Sequence, residues 1–173
     1  DKDNKTFKEV LDNAKKLGYA ESNPSADLNG DDVAAKLKIL SSLCFNSFLN
    51  KNIHVEGIKD IDRDDISYAK KLGYKIKLLG YGELIGKHIY QRVHPTLIKD
   101  SSYVASIDGV LNAVIIDGEP VGQSIIQGEG AGPAATTSAL ISDISSILRG
   151  NIKFPFSISN KERRNLNFRH ISD

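Results

Sequence analysis

The spacing of apolar and polar residues predicts three helices in the first half of the chain. The first helix covers the sequence TFKEVLDNAKKLGY, in which Thr6 and Glu9 have the spacing of a capping box. Its apolar residues recur with the period of a helix and form one stripe: Phe7, Val10, Leu11, Ala14 and Leu17. Gly18 readily takes the left-handed conformation that ends a helix. The pattern therefore predicts a helix that begins near Thr6 and ends at Gly18.

The same signals predict two further helices. The second runs from about Gly30 to Asn46, with Asn29 as its N-cap. Its apolar stripe is Val33, Leu37, Leu40 and Cys44. The third helix, RDDISYAKKL, follows Asp62 as its cap and ends at Gly73.

From Lys75 the apolar period becomes that of strands, in the runs YKIKLLGYGE, HIYQRVHPTLI and LNAVIIDGEPVGQSIIQ, after a short strand IHVEGI. Asp117 and Gly118 predict the turn of a hairpin, and Pro95 and Pro120 are expected at strand ends or edges. A last helix is predicted from Pro133 to Leu148, with Pro133 in its first position. This order predicts an α+β fold with a mixed, largely antiparallel sheet and helices packed on one face.

Composition narrows the class of protein. The 173 residues suit a single domain, predicted over residues 1–150, with residues 151–173 as a basic extension or linker. A net charge of +1 without a basic cluster argues against nucleic acid, and no apolar run reaches the length of a membrane span. One cysteine excludes an internal disulfide, which favours the cytoplasm. Methionine is absent, so we expect the chain to be a piece of a longer protein.

The segment ESNPSADLNGDDVAAKL is rich in carboxylates and has two interpretations. In the first, Asp31 and Asp32 stabilise the positive end of a helix, and Asp32 and Lys36 form an ordinary surface pair one turn apart. In the second, the segment is a site for a charged small molecule. Lys36 lies about 60° from the centre of the predicted apolar stripe, at the edge of the buried face. A lysine partly shielded among carboxylates can transfer a proton while the acids bind an ammonium group.

The glycine-rich segment GEGAG also has two interpretations. A strand, a glycine turn and a helix suggest a dinucleotide fingerprint, but Pro133 occupies the place of the last glycine of G-x-G-x-x-G. The segment is therefore a tight turn into a helix or a loop whose backbone approaches a ligand.

Histidine and cysteine add no catalytic pattern. His54, His88, His94 and His170 lack metal-ligand spacing, so structural or surface roles are expected and no metal is assigned. Cys44 lies on the predicted apolar stripe and is expected to be buried rather than nucleophilic.

The motifs taken together resemble the homoserine dehydrogenase family. LGYAESNPSADLNGDDVAAKLKIL matches that family's pattern G-Y-x-E-x-x-P followed by D-L-x-G-x-D-x-A-x-K. The segments VEGI, AKKLGYKIKLL, RVHPTLI and VLNAVIIDGEPVGQSIIQGEGAGPAATTSALISDI continue the match in order over almost the whole chain. The resemblance implies a domain like the C-terminal domain of glyceraldehyde-3-phosphate dehydrogenase.

The resemblance also implies roles for particular residues. Lys36 matches the catalytic lysine that moves a proton to or from the substrate's γ oxygen. Glu21 matches the residue that binds the substrate's amino group, Asp32 a second substrate-binding acid, and Asp27 an acid near the hydroxyl and the lysine. Within GEGAG, the resemblance assigns three residues to the nicotinamide end of the cofactor: Gly130, Ala131 and Gly132.

The implied reaction interconverts L-homoserine and L-aspartate 4-semialdehyde with NADP or NAD, in the aspartate pathway to threonine, methionine and isoleucine. The family binds its cofactor mainly through an N-terminal domain that this chain lacks, so the isolated fragment is expected to be inactive. The resemblance also implies a homodimer joined through the sheet. The alternative hypothesis is a dimerisation and ligand-binding module without catalysis.

Overall fold

The computed structural model describes residues 7–18, 23–47, 53–151 and 167–168. The helices are α1 (Phe7–Lys16), α2 (Ser25–Asn29), α3 (Asp31–Cys44), α4 (Arg63–Lys71) and α5 (Pro133–Leu148). The strands are β1 (His54–Val55), β2 (Tyr74–Ile85), β3 (His88–Lys99), β4 (Leu111–Gly118), β5 (Gly122–Glu129) and β6 (Asn167–Phe168). A short 3-10 helix, Tyr103–Ser106, follows β3. The mixture of helices with antiparallel and parallel strand pairs confirms the predicted α+β class.

The chain divides into two compact units. One, here called the hairpin unit, comprises Asp1–Asn23 and Lys99–Ile152, and its described elements are α1, the 3-10 helix, β4, β5 and α5. The other, here called the sheet unit, comprises Pro24–Ile98 and Lys153–Asp173 and contains the remaining elements.

The sheet unit has a mixed sheet with β3 in the middle. A two-residue connection joins β2 to β3, which makes them an antiparallel hairpin. On its other side β3 pairs in parallel with β1 at Arg92 and Val93, and with β6 at His88 and Ile89. The tail, predicted to be irregular, thus supplies one short strand.

The core of the sheet unit lies between α3 and this sheet. Ala34, Leu37 and Val93 form a buried cluster, with Val33, Ile53, Val55 and Leu78 packed against it. A β-carbon at Gly80 would lie 3.5 Å from the Leu37 Cβ, and one at Gly82 would lie 2.8 Å from the Ser41 hydroxyl. Glycines on β2 therefore let α3 approach the strand closely.

The helix boundaries with strong local signals are confirmed. The Asp62 carboxylate accepts hydrogen bonds from the Asp64 and Asp65 N–H groups at 2.8 and 2.9 Å, and Asp65 accepts from the Asp62 N–H at 3.1 Å. This is a complete capping box at the start of α4. Gly18 and Gly73 have φ of 75° and 77°, and Pro133 opens α5. The predicted cap at Thr6 lies outside the described residues.

The start of α3 differs from the prediction. Its N-cap is Gly30 in the left-handed conformation, not Asn29, and the cap has no side-chain hydrogen bond. Asn29 instead ends α2, a five-residue helix in what was expected to be a loop. The sequence did contain a signal for α2, since Pro24 stands at its start and Gly30 at its end. In the structure, the Leu28 N–H donates to the Pro24 carbonyl at 3.0 Å and closes the turn of this helix.

The hairpin of β4 and β5 is confirmed, but its turn lies further along the chain. Asp117 and Gly118 belong to β4 and pair with Gln123 and Gly122. The connection is Glu119–Pro120–Val121, and Gly122 supplies the positive φ of 77°. Pro120 favours a turn because its ring fixes φ.

Pro95, predicted to lie at a strand end or edge, lies inside β3. The Val93 carbonyl accepts from the Glu56 N–H at 2.8 Å, so Val93 faces β1. By strand alternation Pro95 faces the same side, past the last residue that pairs with β1. The N–H that proline lacks is thus not required by a partner there.

Candidate functional site

The acidic segment is built around Gly30, where α2 meets α3. Gly30 is buried with φ of 85°, and a β-carbon there would lie 3.1 Å from Val55 Cγ1 and 3.3 Å from Val93 Cγ1. Both the conformation and the close approach to the sheet require glycine. Gly30 ends α2 and begins α3, so its conformation sets the positions of Asp27 on α2 and Asp32 in the first turn of α3.

A second backbone contact ties α2 to the end of β1. The Ile58 N–H donates to the Leu28 carbonyl at 2.8 Å. A β-carbon on Gly57 would lie 2.6 Å from Asn29 Cα and 2.7 Å from its carbonyl carbon. The α2 backbone therefore lies directly on Gly57. Sequence reasoning assigned Gly57 no role, although a glycine just after a strand signals close backbone approach.

The structure brings together two of the predicted site residues. Lys36 Nζ lies 2.7 Å from Asp32 Oδ2, one turn apart on α3. The side chains are 58% and 41% exposed, so the pair contributes no more than about 0.5 kcal/mol to stability. In chemical terms, the pair places a lysine beside a carboxylate where a ligand can reach it, and such a lysine can donate a proton.

The buried face of α3 matches the predicted stripe only in part: it includes Leu37, with Val33 packed against the core, but it is rotated toward Ala34 and Ser41. Its buried residues include Ala34, Leu37 and Ser41, and Lys36 lies about 130° from their centre rather than at the edge. The predicted partial shielding of Lys36 is therefore wrong for the described residues. Cys44, expected to be buried, is exposed. The helix turns its small residues inward because it packs closely on the glycines of β2.

The other acids of the segment are exposed or lie outside the described residues. Asp27 on α2 and Asp31 in the first turn of α3 are both exposed. Asp31 is about 100° around the helix from Asp32, away from the face of Lys36. Glu21 lies outside the described residues.

The predicted cofactor loop belongs to the hairpin unit. The Gly130 N–H donates to the Val110 carbonyl at 3.2 Å, and the Thr136 N–H donates to the Gly132 carbonyl at 3.0 Å. Gly132 has φ of 113° and ψ of 158°, a conformation open almost exclusively to glycine. Gly130 is exposed and Ala131 half-buried, so the loop offers its backbone to a ligand without large side chains in the way.

The described residues lack both a metal-binding cluster and a membrane-spanning helix. Within the described ranges, no three His, Cys, Asp or Glu side chains come together as a group that could hold a metal ion. His54 is exposed, and His88 and His94 are half-buried in β3. None of the helices in the described part of the chain has the length and apolar character needed to cross a membrane.

Comparison with known proteins gives a consistent result. The family model of homoserine dehydrogenase matches residues 1–145. The chain is 46% identical to the homoserine dehydrogenase of Neisseria gonorrhoeae, over 83% of this chain and 33% of that protein. It is 44% identical to that of Helicobacter pylori, over 86% of this chain and 35% of that protein.

Solved structures agree. A homoserine dehydrogenase from Thiobacillus denitrificans superposes with a TM-score of 0.82 at 36% identity, over 96% of this chain and 40% of that one. The S. aureus homoserine dehydrogenase at pH 6.5 gives a TM-score of 0.77 at 37% identity, over 92% of this chain and 40% of that one. The chain thus spans about a third of the curated relatives' length. By sequence and by fold, it belongs to the homoserine dehydrogenase family.

Proposed function

We propose that this chain is the substrate-binding half of an oxidoreductase that interconverts L-homoserine and L-aspartate 4-semialdehyde, with Lys36 as general acid and base. The observation that carries the proposal is the accessible Lys36–Asp32 pair on α3. These are the positions to which the resemblance in sequence assigns a catalytic lysine and a substrate-binding acid. Family membership supplies the reaction, and the helix geometry supplies a proton donor that a small substrate can reach.

In this mechanism Lys36 handles the proton at the γ oxygen of the substrate. During oxidation of homoserine, the neutral amine accepts the hydroxyl proton as the C–O bond becomes a carbonyl. During reduction, the ammonium donates that proton to the developing alkoxide. Asp32, ion-paired to Lys36, orients the ammonium and offers its second oxygen to the amino group of the substrate. Glu21 is proposed to bind that amino group, and Asp27 to lie near the substrate hydroxyl and Lys36.

The cofactor in this proposal is NADP or NAD, and its nicotinamide supplies or accepts the hydride when bound. The loop of Gly130, Ala131 and Gly132 would hold the nicotinamide end through its backbone. Most of the cofactor would be bound by sequence outside this chain, which spans about a third of its relatives. The fragment alone is therefore proposed to be inactive. We place the end of this domain near residue 150, with residues 151–173 as an extension.

Replacement of Lys36 tests the proposal in the full-length enzyme. Lys36→Ala should lower kcat by about 100- to 10,000-fold, the usual contribution of a general acid or base, with a smaller change in homoserine affinity. Lys36→Arg should be similarly impaired in homoserine oxidation, because arginine does not lose its proton. Lys70→Ala, which removes an exposed lysine from α4, is the matched control. Near-normal turnover of Lys36→Ala would refute the proton-transfer role.

A second function, a dimerisation and ligand-binding module, is favoured by the exposed apolar surface of the hairpin unit. Ile115 and Ile125, directly opposite each other on β4 and β5, are 38% and 40% exposed. Such residues suit an interface between two copies of the chain. A stable dimer that does not bind homoserine in calorimetry would support dimerisation alone.

A further inference from the structure

Asn112 has a contact that the proposed mechanism does not use. It lies in β4, where it pairs with Gly128 of β5, two residues before Gly130. A β-carbon on Gly130 would lie 2.5 Å from Asn112 Cγ and 3.2 Å from Asn112 Cβ. Real β-carbons do not come within 2.5 Å of another atom, so a side chain at position 130 would have to displace the exposed Asn112 amide from its place against Gly130.

Other glycines of the hairpin show that this contact is particular to Gly130. Within the described residues, a β-carbon at Gly118, Gly122 or Gly128 would have nothing within 4 Å. Gly132 needs to be glycine for a different reason, its positive φ of 113°. The two glycines of the loop are therefore required by independent constraints, one conformational and one imposed by Asn112.

These contacts hold the loop at both ends. At one end the Gly130 N–H donates to the Val110 carbonyl and the Asn112 side chain lies against Gly130, and at the other end the Gly132 carbonyl accepts the hydrogen bond that begins α5. Only Ala131 lies between them. A loop restrained at both ends loses less conformational entropy when a ligand binds its backbone.

We propose that Asn112 is a positioning residue for cofactor binding: its amide, seated against Gly130, holds the loop of Gly130, Ala131 and Gly132 in the conformation that receives the nicotinamide. This inference rests on the proposed function, since it assumes that the loop meets the cofactor. Asn112 acts through the loop and not by contact with the reacting atoms.

Paired substitutions in the full-length enzyme test the proposal, with NADPH fluorescence titration and homoserine kinetics as readouts. Asn112→Ala should weaken the Kd for NADPH by about two- to tenfold, the effect of ordering one loop residue, and leave the KM for homoserine nearly unchanged. Gly130→Ala should weaken NADPH binding at least as much, because its methyl group displaces Asn112. The double variant Asn112→Ala with Gly130→Ala should bind NADPH better than Gly130→Ala, because removal of the amide makes room for the methyl group.

Gly118→Ala is the control, since it adds a methyl group in the same hairpin where the described residues leave open space. Thermal unfolding of every variant separates a folding defect from a binding defect. If the double variant is more stable than Gly130→Ala but binds NADPH no better, the positioning role is wrong, although the contact between Asn112 and Gly130 is confirmed. Failure of the double variant to improve on Gly130→Ala in both readouts would overturn the contact. A parent enzyme that binds NADPH but does not turn over homoserine would refute the proposed function and leave this test valid.

Discussion

At the scale of single residues, a charged cluster on the β2–β3 hairpin has a measurable electrostatic consequence. The Tyr81 hydroxyl donates to Glu83 Oε2 at 2.7 Å, and the Arg92 guanidinium lies 5.7 Å from the centre of the Tyr81 ring. The hydrogen bond to Glu83 raises the pKa of Tyr81 above its ordinary value of 10.0, and burial and the charge of Glu83 act in the same direction. The charge of Arg92 opposes them.

We predict that Glu83→Gln lowers the pKa of Tyr81 toward 10.0 and that Arg92→Ala raises it. Because the folded-state pKa is raised, the hydrogen bond stabilises the fold fully below the unfolded-state pKa and is lost as the pH rises through the folded-state pKa. Absorbance at the tyrosinate band from about pH 8 to about pH 12 measures the titration. The chain has six tyrosines, so the titration curve of Tyr81→Phe is subtracted to leave the contribution of Tyr81 alone. An unchanged difference curve in Glu83→Gln would contradict the assignment.

At the scale of elements, the position of the acidic segment depends on the contact between α2 and the end of β1. The carbonyl of Leu28 and the backbone of Asn29 lie against Gly57, with no room for a side chain. Because Asp27 is part of α2, a shift of this helix moves a proposed substrate-binding acid.

Gly57→Ala should therefore lower the free energy of unfolding by about 1–3 kcal/mol, the usual cost of an extra methyl group in a packed contact. The rigid backbone of α2 cannot turn aside as a side chain could. Denaturant unfolding measures the change, with Gly118→Ala as the control, and the homoserine KM of the full-length enzyme should rise as well. Equal stability of Gly57→Ala and Gly118→Ala would show that α2 can move away without cost.

Elements differ in how well their sequence predicted them. The α4 helix and the start of α5 follow from the Asp62 capping box and from Pro133, signals that act within a few residues. The buried face of α3 was predicted only in part, at Leu37 and Val33, because Ala34 and Ser41 are small and carry little apolar signal. They are buried because Gly80 and Gly82 on β2 let the helix approach, which no pattern within α3 reveals.

At the scale of the whole molecule, the exposed apolar residues of the hairpin unit are the main feature. The α5 helix exposes a stripe at helical spacing: Leu140, Ile141, Ile144, Ile147 and Leu148, between 46% and 82% exposed. The sheet of β4 and β5 has two strands among the described residues, and such a sheet is marginal in water without further packing. Exposed apolar surfaces of this kind are suited to burial against a partner.

We predict that the chain forms dimers and that Ile125→Glu shifts it toward monomer in sedimentation velocity across a range of concentrations. A charge at Ile125 would have to be desolvated in an apolar interface. Ser124→Glu is the matched control, because it adds the same charge at the adjacent position on the opposite face of β5. A chain that stays monomeric at every concentration, or equal effects of the two substitutions, would exclude this face as the dimer contact.

The sequence by itself determined the features that depend on short-range chemistry. The helix stops at Gly18 and Gly73, the cap at Asp62 and the one-turn spacing of Asp32 and Lys36 all arise from neighbours along the chain. The ordered motifs also determined the family. Hydrogen bonds and backbone angles over a few residues carry this information.

The tertiary structure alone decided which way these features face. It placed Lys36 in solvent, exposed Cys44, paired β3 in parallel with β1 and β6, and seated Asn112 against Gly130. Each of these depends on close approach between segments distant in the sequence. The closest approaches are set by glycines, which leave space for the partner segment but do not show from their own position which segment fills it.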